Sequence, residues 1–213
     1  MYMQRKQRFI NHIYHNQNTY VFMISLFITG IIFGAIVVNS MSFIQKQDLY
    51  FYLENFFHQF STDMNLSKAI LWKDSYFYHL QYIGLIFLLG LSVIGLPLIW
   101  VLIFIKGTVI GFSVGFFINQ LGWKGFILSS VAIAPQNLLL IPIYLVAGTV
   151  AMSFSIQLLQ NLFMRKNRLN IPIAFSKYFI TSLILILFIG LATFIEVYLS
   201  YSTMRMTINN LLY

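Results

Sequence analysis

The stretch Tyr20-Val21-Phe22-Met23-Ile24-Ser25-Leu26-Phe27-Ile28-Thr29-Gly30-Ile31-Ile32-Phe33-Gly34-Ala35-Ile36-Val37-Val38 holds nineteen residues without a single charge. At about 1.5 Å of rise per residue it makes roughly 28 Å of helix, enough to cross the hydrocarbon core of a bilayer. Arg5, Lys6 and Arg8 precede it, as the basic segment of a signal peptide would. The apolar run is too long for a cleaved signal, however, and Asn39-Ser40-Met41 offers no small-x-small cleavage site. A retained signal anchor is expected.

The rest of the chain has the same character. Of 213 residues, 59% are hydrophobic and 8% charged, and the mean hydropathy is +0.80. A soluble domain carries about 25% charged residues, so this chain cannot cover a water-facing surface. Further uncharged or nearly uncharged runs occupy residues 82–105, 107–121, 126–159 and 179–198. The reading is an all-α, polytopic integral membrane protein with about five transmembrane helices and a broken helix near Pro135. Lys106 separates the second span from the third, and Pro97 is expected to kink the second. Gly122-Trp123-Lys124-Gly125 reads as an interfacial turn.

Orientation follows from the Lys/Arg bias of the connections. The arm 1–19 holds three basic residues and no acid, and the loop 160–178 holds Arg165, Lys166, Arg168 and Lys177 and no acid. The loop 39–81 holds Lys46, Lys68 and Lys73 against Asp48, Glu54, Asp63 and Asp74. Five crossings put both basic segments in the cytoplasm, with the loop 39–81 and the tail 199–213 outside. A rival folds 107–121 and 126–134 into a re-entrant hairpin, which would export the four-charge loop. Five spans are preferred on that ground. The net charge of +8 then faces membrane lipid, and nucleic acid is not an expected partner.

No cofactor or metal is expected. The chain has no cysteine, which excludes disulfides, thiolate metal sites and a cysteine nucleophile. His12 and His15 could share a helix face but have no third ligand. His58 and His79, flanked by aromatic residues, read as interfacial. Asn65-Leu66-Ser67 fits a glycosylation acceptor, a pattern common by chance. The five carboxylates form no catalytic set, and an enzyme is not expected.

Three other features stand out. Leu49, Leu53, Phe56, Phe57 and Phe60 recur at helical spacing in the outer loop, with Tyr50, Phe51, Tyr52 and Trp72 adding aromatic bulk. Such a helix suits the membrane interface, the protein's own spans or an extracellular partner. Gly30 and Gly34 form one GxxxG pattern and Gly107, Gly111 and Gly115 a double one. Close helix approach there serves either a homo-oligomer or, preferably, packing among the protein's own spans. Lastly, Ala134-Pro135-Gln136-Asn137 interrupts an apolar stretch. Gln136 and Asn137, with Asn119 and Gln120, could line a polar transport site. No charge accompanies them, Glu196 being placed at the outer end of the last span, so a structural break is the preferred reading.

Several segments carry a family resemblance. Phe33-Gly34-Ala35-Ile36-Val37-Val38-Asn39-Ser40, Tyr82-Ile83-Gly84-Leu85, Gly95-Leu96-Pro97 and Lys106-Gly107 resemble stage II sporulation protein M of endospore-forming bacteria. So do Asn119-Gln120-Leu121-Gly122-Trp123-Lys124-Gly125-Phe126 and Pro135-Gln136-Asn137-Leu138-Leu139, in order and spacing. The wider family carries Pro-His-Gly and a Glu three positions later. Here those positions hold Gln136, Asn137 and Leu140, which points to the sporulation branch. The resemblance implies a non-enzymatic scaffold at the sporulation septum and engulfing membrane. Its implied partners are the wall-cutting stage II sporulation proteins D and P.

Overall fold

The computed structural model describes residues 17–62, 68–163 and 171–200. The basic arm with His12 and His15, the Asn65-Leu66-Ser67 triplet, Arg165, Lys166 and Arg168, and the C-terminal tail lie outside the described residues. Among the described residues the regular structure is helical throughout. The helices are α1 (Gln17–Ser40), α2 (Phe43–Thr62), α3 (Lys68–Gly90), α4 (Gly95–Leu121), α5 (Trp123–Ala132), α6 (Ala134–Phe163) and α7 (Ile171–Ile195). A single π-helical turn, Glu196–Ser200, continues α7. Among the described residues four helices, α1, α4, α6 and α7, are long and apolar enough to span a membrane. Large apolar side chains face outward along them, such as Leu187 and Leu191 on α7 and Val101 on α4. Water would penalise that surface, and lipid would not.

The helix boundaries differ from the apolar runs in two ways. The run 82–105 is not one element: α3 ends at Gly90, a tight turn spans 91–94, and α4 then continues unbroken past Lys106 to Leu121. Pro97 does not kink a span. It occupies the first turn of α4, where a missing N–H costs no helical hydrogen bond. Nor is 39–81 a loop. It contains α2 and the first half of α3, because Ser42 and Gln45 form a reciprocal capping pair at the start of α2.

Helix directions follow from the contacts. Gly30 lies against Phe104 and Thr108, and Gly34 against Thr108 and Phe112. Gly107 and Gly111 return the contact to Phe27 and Ile31. Residue numbers rise together, so α1 and α4 run parallel. Missing side chains let the two backbones touch, and this is the most extensive helix pair of the bundle. Gly115 stands apart: a Cβ there would sit 3.4 Å from Ala35 Cα, an ordinary contact. Gly30, Gly34, Gly107 and Gly111 therefore line a close seam between α1 and α4.

α6 runs parallel to α3, since Tyr144 meets His79 and Ser155 Oγ donates to the Ser92 carbonyl 2.8 Å away. α7 runs the opposite way. Its Tyr178 hydroxyl donates to the Phe87 carbonyl at 2.8 Å, whereas Glu196 reaches Ser75 near the other end of α3. So α1, α4 and α7 point one way and α3 and α6 the other. Met23, Ile99, Ile103, Ala147, Ala151 and Ile189 fill the centre. Among the described residues, α2 has no substantial contact with any other helix.

The expected break near Pro135 is present. α5 and α6 meet at Ile133, and Pro135 follows in the first turn of α6. Asn137 repairs the interruption: its backbone N–H and its Nδ2 both donate to the Ile133 carbonyl, at 3.3 and 2.8 Å. At the other end of α5, Gly122 adopts φ +57°, which turns the chain directly from α4.

Candidate functional site

Four helix faces meet beside the break. On α3, Ser75, Tyr78, His79 and Tyr82 follow i, i+3, i+4, i+7 spacing and so share one face. On α4 the same spacing brings Lys106, Val109, Ile110 and Ser113 together, and across the break it aligns Ile133, Gln136, Asn137 and Leu140. The π turn after α7 adds Glu196. These residues, Tyr82 excepted, line a cavity of about 460 Å³, with the exposed Asp74 at its rim.

The polar groups inside form a connected set. Ser75 Oγ donates to Glu196 Oε2 at 2.7 Å, and His79 Nε2 lies 3.5 Å from the same oxygen. A carboxylate only accepts, so the proton of a neutral His79 sits on Nε2. Nδ1 is then left to accept from the Tyr144 hydroxyl at 2.5 Å. Tyr82 donates its hydroxyl to the Leu102 carbonyl. The order of groups is not that of a catalytic triad. There the histidine stands between nucleophile and carboxylate, whereas here the carboxylate stands between Ser75 and His79.

Lys106 is the most unusual member. It is 8% exposed and sits halfway along a helix of membrane-spanning length. Its Nζ lies 4.8 Å from the Tyr144 ring centroid, 5.1 Å from Tyr78 and 5.2 Å from Tyr82. Among the described residues no carboxylate is within ion-pair distance of it. The tyrosine faces offset part of the desolvation cost, at up to about 2 kcal/mol for a dry cation–π contact. Below this level the tight layer of Met23, Ile99, Ile103 and Ala147 closes the bundle.

The residues singled out by sequence divide accordingly. Gln136 and Asn137 line the cavity, Asn137 buried and Gln136 half-buried. Pro135 shapes the break, and Asn119 and Gln120 are not among the cavity residues. Gly107 and Gly111 belong to the α1–α4 seam, with Gly115 at its looser edge. The helical backbone of α2 includes Phe56, Phe57 and Phe60, but their side chains lie outside the described residues. One expectation is overturned. Charged groups do accompany Gln136 and Asn137, namely Lys106 and Glu196 together with His79. His79 is buried among the helices, at 6% exposure. The signal that could have found them is the polar stripe Ser75, Tyr78, His79, Tyr82 within a helix.

Comparison with known proteins places the site in context. No curated protein and no solved structure matches the chain. The family model described as stage II sporulation protein M matches residues 23–201, which takes in every helix except the start of α1 and every cavity residue named above. The chain belongs to the stage II sporulation protein M family, and is a sporulation-related, multi-pass membrane protein.

Proposed function

We propose that the protein is a non-enzymatic membrane scaffold. It holds peptidoglycan-degrading partners, stage II sporulation proteins D and P, at the septal membrane during engulfment. The single observation that supports this reading best is α2. It leaves Phe43, Ile44, Phe51 and Tyr52 between 61% and 79% exposed, and among the described residues no other helix packs extensively against it. A 20-residue helix built only to link α1 to α3 would not need exposed aromatic side chains.

Orientation is part of the proposal. Five crossings, by the four long apolar helices with α5–α6 as one unit and by α3, whose apolar part follows Lys68, Lys73 and Asp74, put the arm 1–19 and the basic loop 160–178 on one side. The positive-inside bias makes that side cytoplasmic. α2 then lies outside, on the side of the wall. The close-packed layer beneath the cavity supports anchoring over conduction of a solute.

The test replaces residues 43–62 by a Gly/Ser linker of equal length, with a topology reporter inserted at Ser61 or its equivalent. The expected outcome is an inserted protein, reporter external, that supports septation and not engulfment. Normal engulfment by that variant would refute the scaffold role of α2, and a cytoplasmic reporter would refute the orientation.

A further inference from the structure

We propose that the cavity between α3, α4, α6 and the π turn binds a small zwitterion of the α-amino acid class. The carboxylate of the ligand rests against Lys106 and its ammonium against Glu196. The inference is separate from the scaffold reading and depends on three observations.

The first is Lys106 itself. A cation more than nine-tenths buried, lining a cavity and bordered by three tyrosine rings, with no carboxylate within ion-pair distance among the described residues, is expensive at membrane depth unless an anion completes its surroundings. The second is the gradient of charge. Lys106 is buried at the base, Glu196 is 20% exposed higher up, and Asp74 is exposed at the rim. A simple anion must pass two carboxylates to reach the lysine, and a simple cation finds a lysine at the bottom. One molecule carrying both charges matches the sequence of potentials along the cavity. The third is capacity and polarity. About 460 Å³ is within the usual range for a small-molecule site, about 300–1,000 Å³. Gln136, half-buried in the cavity wall, supplies an amide for the remaining polar atoms of the ligand. The ordered Ser75–Glu196–His79–Tyr144 chain fixes the acceptor for the ammonium before the ligand arrives.

The experiment uses the full chain in lipid nanodiscs and measures binding by calorimetry. The probes are the common α-amino acids singly, each paired with the carboxylic acid that lacks its amine, as alanine with propionate. At least one amino acid is expected to bind saturably, and more tightly than its paired acid. Lys106→Gln removes a charge-assisted contact and should weaken binding about ten- to a hundredfold. Glu196→Gln should abolish the preference for the amino acid over the paired acid, and it stands in as the test if Lys106→Gln does not fold. Absence of binding by every amino acid overturns the proposal. So does equal binding of amino acid and paired acid, or an undiminished affinity in a folded Lys106→Gln protein.

Discussion

Gly111→Val is expected to abolish accumulation of folded protein in the membrane, while Gly115→Ala, one turn along the same helix, leaves it near normal. At Gly111 a Cβ would collide with the carbonyl oxygen, carbonyl carbon and Cα of Ile31, all backbone atoms of α1. No rotamer change can relieve such a clash, so the two helices must separate along the seam. Overpacking of a core costs about 1–3 kcal/mol where side chains can yield. With backbone against backbone, the loss should reach the upper end of that range or beyond it. Membrane proteins gain little hydrophobic energy from helix association and depend on this close fit. At Gly115 the nearest atom would be 3.4 Å from the new Cβ, and alanine also favours the helix over glycine by about 0.8–1.0 kcal/mol. Thermal unfolding of both variants in detergent checks the pair. Equal loss in the two would show that glycine content, rather than the α1–α4 contact, sets stability.

Tyr144→Leu is expected to cost about 3–5 kcal/mol, because it removes two supports of the polar cluster at once. The ring offers one of three faces to Lys106, and the hydroxyl donates to His79. Tyr144→Phe keeps the ring and should cost only the hydrogen bond, about 1–3 kcal/mol. The difference between the two substitutions therefore isolates the cation–π contribution. Chemical unfolding in mixed micelles gives both numbers. If Phe and Leu were equally damaging, the ring face would contribute nothing to holding Lys106.

Much of this architecture is readable in the amino-acid sequence, and its failures have physical causes. Long uncharged runs identify membrane helices because lipid leaves no alternative. Pro135 marks the interruption between α5 and α6 because proline lacks the donor a continuous helix needs. The glycine spacing marks the close seam, although sequence leaves open whether the facing helix belongs to the same chain. Hydropathy treats Lys106 as the end of a span, yet the helix passes through it, since Tyr78, Tyr82 and Tyr144 cover the charge. Tyr144 is distant in sequence from the other two, so no local window shows the cage. Glu196 illustrates the same limit. Its position near the end of the last apolar run suits interfacial solvation, and only the packing of α7 against α3 brings it to His79 and Ser75.

The scaffold proposal rests on α2, and photo-crosslinking tests it most directly. A photoreactive amino acid placed at Phe51 or Tyr52, both exposed on α2, is irradiated in sporulating cells at the onset of engulfment. The expected result is a specific adduct with stage II sporulation protein D or P, absent when the probe replaces lipid-facing Leu187 on α7. Adducts with lipid alone at both α2 positions would contradict the scaffold reading.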